Sequence, residues 1–289
     1  MTTALKSSTG EVSGIVKDKT LIKDYKTLSP KEIFNIYKAY KPEVLDKYNF
    51  EVGAGGFVYV IPKEGMVKNV FNNKKGISQK SSQNLTLTKE IATFADLIDK
   101  INNYDSATLN ELGLTKEQAQ LFFDASNPIK IGSTRRSLNE NIEAYKFDMS
   151  KLTDSEHTTG HAMDIMTKVA GRPTPETIQL LKDTQSGKVN ITTLDAATQK
   201  KLQNAQLALI NDKDGDGFYD EDLPALKLEA FLNTESGKKF LKKSGLTVYV
   251  HTAKGGDRHL HIDTVQRPGG IYYQDDGAGG KLFTPYKIK

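Results

Sequence analysis

The sequence predicts an α+β fold: a small antiparallel sheet flanked by helices, with a small α/β module at its N-terminal end. Three observations carry this reading. A period of two in Ala162-Met163-Asp164-Ile165-Met166 sets Ala162 and Asp164 on one face and Met163 and Ile165 on the other, and His259-Leu260-His261-Ile262-Asp263 alternates polar and apolar residues with the same period, as half-buried strands do. A further β-prone run, Thr247 to His251, leads through Gly255-Gly256 into the second of these, so the two form a hairpin. Between the alternating stretches lie apolar residues at helical spacing, Leu202, Ala205 and Leu209, and then Leu226, Leu228 and Phe231.

The first twenty residues are polar, lack a period and read as a loose tail. Ser29-Pro30-Lys31-Glu32 is a helix start, in which serine caps, proline suits the first helical position and Glu32 reaches back to close the box. Ile33, Phe34, Ile36 and Tyr37 supply the apolar face, and Tyr40-Lys41-Pro42 breaks the helix. A short helix from Pro42 carries Val44 and Leu45. After the Gly53-Ala54-Gly55-Gly56 turn, Phe57 to Pro62 reads as a strand. With a strand at Thr20 to Tyr25, the order is strand, helix, helix, strand. Together with Leu28, Asn49 and Val60-Ile61-Pro62, this resembles a lysin motif, a module whose resemblance implies glycan binding.

Residues 64 to 90, rich in Asn, Lys, Ser and Gln, read as a linker or exposed loops. From Ile91 to Asp124 the pattern is helical, with Thr115 and Gln118 opening a helix that carries Ala119, Leu121, Phe122 and Phe123. The division is therefore an N-terminal module (1–80), a helical connecting region (81–126) and a C-terminal domain (127–289). That domain opens on the β-prone Pro128-Ile129-Lys130-Ile131, followed by Ser133-Thr134-Arg135-Arg136-Ser137 and a helical segment.

Composition narrows the chemistry. The chain has no cysteine, which excludes disulfides, thiolate catalysis and cysteine-based zinc fingers. Net charge is +4, but Asn211 to Asp222 holds six acidic residues and one lysine, leaving 39 basic against 30 acidic residues elsewhere. That surplus suits an anionic surface such as a cell wall and is too diffuse to argue for nucleic acid. No apolar run is long enough to span a bilayer, and Met-Thr-Thr-Ala-Leu-Lys lacks a signal-peptide pattern.

Only five histidines occur, and four of them lie in two stretches, Ser155 to Asp164 and Asp257 to Asp263; the fifth, His251, is just upstream of the second. Alternation places Ala162 and Asp164 on one strand face, and His259, His261 and Asp263 on another. Pairing of those strands would bring Asp164 to His261, with His157 in the glycine-containing turn ahead of the first. Two imidazoles and one carboxylate leave a fourth position open for water, the arrangement of catalytic zinc. Zinc lowers the pKa of that water toward ~7, which permits attack on a carbonyl near neutral pH.

The S-x-H-x-x-G-x-A-x-D signature over Ser155 to Asp164, with the later His259-Leu260-His261, resembles the group that unites lysostaphin-type peptidases, D-alanyl-D-alanine metallopeptidases and the hedgehog signalling domain. The resemblance covers about residues 127 to 265. It implies that His157, Asp164 and His261 bind zinc and that His259 assists catalysis. Ser133 to Ser137 is similar to the group's S-x-x-R-S segment, which implies that Arg136 holds the substrate carboxylate or the oxyanion. Arg258 stands where the dipeptidase branch has its general-base glutamate. His259 therefore takes the proton-transfer role, ahead of Asp257 and His251. The substrate so implied is peptidoglycan, at its stem peptides or cross-links. The place of action is then the cell wall, reached without a cleaved signal, as by a phage lysin or virion protein, or by a bacterial protein exported by another route. The alternative is a non-catalytic module that binds cell wall or a protein and uses its metals for structure. Oligomeric state is left open.

Asp212-Lys213-Asp214-Gly215-Asp216-Gly217-Phe218-Tyr219-Asp220 matches the first nine positions of an EF-hand loop. Asp212, Asp214, Asp216, Asp220 and the Phe218 carbonyl are the expected calcium ligands. Leu223 holds the twelfth position, so Asp222 or Glu221 must stand in for its glutamate. Such a calcium ion would be structural.

Overall fold

A computed structural model describes residues 28–40, 48–62, 64–79, 86–144, 156–171, 173–253, 258–264, 270–276 and Tyr286. The N-terminal tail, the strand expected at Thr20 to Tyr25, the short helix expected from Pro42 and the Gly255-Gly256 turn lie outside them.

The helix α1 (Pro30–Tyr40) opens as its sequence dictates. The Ser29 N–H donates to Glu32 Oε2 at 2.9 Å and the Glu32 N–H donates to Ser29 Oγ at 3.3 Å, so two otherwise orphaned amides are satisfied reciprocally. Ile33, Phe34 and Tyr37 are buried. The strand at Val58–Pro62 (β2) pairs antiparallel with Tyr48–Val52 (β1), which the sequence reading missed. Asn49 thus belongs to a hairpin strand, and the described order is helix, strand, strand.

The described parts of the segment expected to be a linker or exposed loops are instead structured. Met66–Lys68 (β3) pairs with Thr86–Thr88 (β5), and Ile77–Gln79 (β4) joins the main sheet. Its apolar residues are too scattered among Asn, Lys and Ser to show a period, yet Val70, Phe71, Ile77 and Leu87 are all buried in the central core. Three helices follow, α2 (Lys89–Asn102), α3 (Ser106–Leu112) and α4 (Lys116–Phe122). The Thr115–Gln118 capping box is present in full. Leu121, expected on the packed face of α4, is exposed, whereas Ala119 and Phe123 are buried.

The remaining elements are β6 (Ile129–Ser133), α5 (Leu138–Ala144), α6 (Glu156–Thr159), β7 (Ala162–Met166), α7 (Pro175–Gln185), α8 (Ala196–Asn211), α9 (Leu223–Leu232), α10 (Glu235–Ser244), β8 (Thr247–Ala253), β9 (Arg258–Asp263) and β10 (Ile271–Asp276). On α8, Leu202, Ala205 and Ala208 face inward, and Leu209, expected with them, is exposed. The main sheet has the order β10-β8-β9-β7-β6-β4. Its central strands β8, β9, β7 and β6 are antiparallel, as expected, but both edge pairs, β10 with β8 and β4 with β6, are parallel. The sheet is therefore mixed, through two edge strands, β4 and β10, that come from segments in which no strand was expected.

One face of the sheet is dry. Met163, Ile165, Leu260, Ile262, Val248 and Val250 project from it against Phe94, Leu228, Phe231 and Phe240 of α2, α9 and α10. Each such side chain stabilises the fold by about 1.5–3 kcal/mol on burial. Phe231 meets both Phe123 and Phe240 edge-on, with ring centroids 4.9 and 5.6 Å apart. This core runs from Val70 to Ile262 and crosses the boundaries drawn at 80 and 126. The opposite face carries the histidines.

Candidate metal centre

Strand parity decides which side chains reach the polar face. Asp164 of β7 stands directly opposite His261 of β9, and Met166 opposite His259. His157 arrives from the short helix α6, whose last residue leads into Gly160 at φ 76°. A side chain at position 160 would be strained there, and its Cβ would lie 3.1 Å from the Thr86 carbonyl oxygen. The Gly160 carbonyl accepts from the Thr88 N–H at 3.2 Å, so the β3–β5 ribbon buttresses the turn that delivers His157.

The three expected ligands converge. Asp164 Oδ1 lies 2.9 Å from His261 Nδ1 and 3.2 Å from His157 Nε2, and the three ligand atoms all fall within 4.8 Å of one another. A tetrahedral ion with ligands at ~2.0 Å requires donor atoms roughly 3.3 Å apart. The donor set, two imidazoles and a carboxylate, therefore fits zinc in kind and in spacing. His157 is buried, and its Nδ1–H donates to the Thr134 carbonyl oxygen at 2.6 Å, which leaves Nε2 turned toward Asp164 and free to act as a ligand atom. The surroundings of Asp164 and His261 shift both of their pKa values. Burial alone would raise the Asp164 pKa, but hydrogen bonds from His157 and His261 outweigh it and hold the carboxyl below the usual carboxylate range. For His261, burial lowers the pKa, yet Asp164 and Asp263 together push it up to about 9.

His259 sits at the rim. Its Nε2 is 4.0 Å from Asp164 Oδ1, and its side chain is 25% exposed, the most open of the three histidines on this face that neighbour Asp164. Its ring stacks on His251 at 5.2 Å with planes 13° apart, and His251 also meets His261 edge-on at 5.7 Å. The fifth histidine is thus brought into the group by register alone, since His251 lies opposite His259 on β8. His161 stays outside it. Its Nδ1 contacts Thr159 Oγ1 at 2.8 Å, and burial lowers its pKa. Asp257, the other base candidate, lies outside the described residues.

Arg136 is tied to the centre through its backbone, where its N–H donates to the His157 carbonyl oxygen at 2.9 Å. Its guanidinium leans on Asn141 Oδ1 at 3.4 Å. Arg135, which the sequence reading left without a role, is the buried one. Its guanidinium donates to the Val60 carbonyl oxygen, lies 3.4 Å from Glu51 and covers the Tyr59 ring, so it fastens the β1–β2 hairpin beside the centre. Asn141 and Tyr37 both donate to Thr158 Oγ1, next to His157, which adds α1 and α5 to the same support.

Arg258 points the other way. It occupies the core face of β9 and is fully buried. Its Nη1 and Nη2 each meet a Glu229 carboxylate oxygen at 2.7 Å, and Nη1 also donates to Thr167 Oγ1. Tyr273 Oη donates to Glu229 as well, and beside this buried carboxylate its own pKa is raised, burial being the larger cause. A residue at position 258 therefore cannot reach the face that carries Asp164 and His261.

The acidic loop brings Asp212, Asp214 and Asp216 into a second group able to hold a cation, with Gly215 and Gly217 at φ 70° and 95°. Asp212 Oδ2 accepts from the Gly217 N–H, and Asp212 Oδ1 is buried without a hydrogen-bond partner. Asp220 accepts from the Lys213 N–H. Asp222, expected to stand in for the missing glutamate, is engaged elsewhere: it is buried and accepts from the Lys168 N–H at 2.8 Å. Phe218 bridges Val169 and lays its ring over the Arg258 guanidinium at 5.4 Å.

No protein-family profile, curated protein or solved structure matches this chain. Among the described residues no helix is long and apolar enough to cross a membrane.

Proposed function

We propose that this chain is a zinc-dependent peptidase that hydrolyses amide bonds in peptidoglycan stem peptides or cross-links. It would belong to the lysostaphin, D-alanyl-D-alanine metallopeptidase and hedgehog group that its motifs resemble. The observation that carries the reading is the convergence of His157 Nε2, Asp164 Oδ1 and His261 Nδ1 beside a more open His259. The choice of peptidoglycan rests on the motif resemblance, with support from the basic surplus outside the acidic loop, which suits an anionic wall. Action would then be extracytoplasmic.

When bound, zinc supplies Lewis acidity toward the scissile carbonyl and a lowered pKa for water. His157, Asp164 and His261 would hold it, with the Thr134 carbonyl fixing the His157 tautomer. His259 would accept a proton from the attacking water and return it to the departing amine, a role supported by its Nε2 lying toward the centre and by its ring stacking on His251. Arg136 is the candidate to hold a substrate carboxylate or the developing oxyanion, because its fork makes two charge-assisted hydrogen bonds. In the acidic loop, Asp212, Asp214 and Asp216 would bind calcium in a structural role, supported by the unpartnered Asp212 oxygen.

The test is turnover. Protein and a His259→Ala variant are incubated with purified peptidoglycan of several chemotypes, and new amino groups are sought by mass spectrometry. Fragment release by the wild type, lost in the variant, is the expected result. Zinc uptake without release from any wall would instead favour a non-catalytic module, the reading that the inward-facing Arg258 supports. Full zinc occupancy in Asp164→Ala would refute the ligand assignment.

A further inference from the structure

We infer that Asp263 is a positioning residue for the metal centre: it holds His261 by the ring nitrogen that faces away from the metal. The inference rests on the zinc reading above. His261 and Asp263 are two apart on β9 and so share its polar face, with Ala162 and Thr247 opposite Asp263 on the neighbouring strands. The His261 ring is suspended between two carboxylates. Nδ1 is 2.9 Å from Asp164 Oδ1, and Nε2 is 3.4 Å from Asp263 Oδ2. Because Asp164 Oδ1 also meets His157 Nε2, the Nδ1 side is the metal side and the Nε2 side is the support.

The two imidazoles are therefore used in opposite senses. His157 offers Nε2 to the metal and spends Nδ1–H on the Thr134 carbonyl; His261 offers Nδ1 and spends Nε2–H on Asp263. Each outer partner selects the tautomer that leaves the inner nitrogen with a free lone pair. The partners differ in charge. A backbone carbonyl orients its ring, whereas a carboxylate orients it and also makes it a stronger donor. The Asp263 side chain is only 7% exposed, so water screens this contact little. With Asp164, it also sets two negative charges against a divalent ion.

The experiment compares wild type, Asp263→Asn and Asp263→Ala, each freed of metal and checked by far-UV circular dichroism. Zn2+ affinity is read by competition with a chromophoric chelator, and ligand geometry by the visible spectrum of the Co2+-substituted protein. Loss of the carboxylate in Asp263→Ala should weaken Zn2+ binding about 10–100-fold and shift the Co2+ bands. Asp263→Asn, which keeps an acceptor but no charge, should fall between that variant and wild type. If Asp263→Ala does not fold, the isosteric Asn variant decides. Zn2+ affinity within twofold of wild type and an unchanged Co2+ spectrum in a folded variant would overturn the inference. Failure of the wild type itself to bind Zn2+ or Co2+ would instead remove the zinc reading, and this inference with it.

Discussion

Arg258→Glu tests the geometry most severely, because it installs the glutamate that the dipeptidase branch carries three residues before its last zinc histidine. If that position faced the metal, the change would supply a general base. The structure places it on the dry face, where Arg258 is fully buried and both terminal nitrogens lie 2.7 Å from Glu229, itself fully buried. The substitution removes the guanidinium and leaves Glu229 facing a second carboxylate in the core. Removing one partner of a buried ion pair costs about 3–5 kcal/mol, since the remaining charge is uncompensated. Repulsion between the two acids adds to this unless one takes up a proton. The loss is comparable to a large part of a domain's whole stability, ~5–15 kcal/mol. Urea denaturation followed by circular dichroism should show a midpoint far below wild type or no folded protein at all, with no gain in hydrolysis. The double variant Arg258→Met with Glu229→Leu, which removes both charges, should regain most of the loss. A stable Arg258→Glu protein with increased activity on peptidoglycan would refute the assignment of this side chain to the core.

Zinc affinity should climb with pH. In the metal-free protein His261 binds its proton up to about 9, and the metal requires the neutral ring, so each pH unit between 7 and 9 should tighten binding about tenfold; chelator competition giving a flat profile would contradict the ligand role. Burial lowers the His161 pKa from 6.5, so the folded state resists its protonation. Its contribution is complete above the unfolded pKa and is lost as pH falls below it. His161→Gln should therefore flatten the acid-side decline in urea-measured stability, and identical slopes in the two proteins would dismiss the effect. Calcium at a hundredfold excess over its dissociation constant should stabilise the wild type by about 2.7 kcal/mol. Asp212→Asn should abolish most of this shift in melting experiments, and no shift in wild type would remove the loop as a cation site.

Much of the centre was legible in the chain because it is written in local parity. Glycine before an alternating run, and histidines two apart on another, specify which side chains share a face before any partner strand is known. The same parity already placed Leu260 and Ile262 in the core. Helix starts were equally local, since Ser29 with Glu32 and Thr115 with Gln118 need only their own turn. The tail of α8 was misread by one residue, because Leu209 and Ala208 can be told apart only by what packs against them.

Sequence alone determined the types of donor, their strand faces and the capped helices, all of which depend on residues a few positions apart. Tertiary structure alone decided what depends on register and on distant partners. It fixed the register that realises the expected meeting of Asp164 and His261, 97 residues apart, stacked His251 on His259, and turned Asp263 toward the outer nitrogen of His261. It also drew β4 into a core whose partner residues lie far along the chain, and satisfied Arg258 with Glu229, 29 residues away. The physical reason is that a buried charge must find a partner or not be buried at all, and an alternating pattern shows only which face a residue takes, never what waits there.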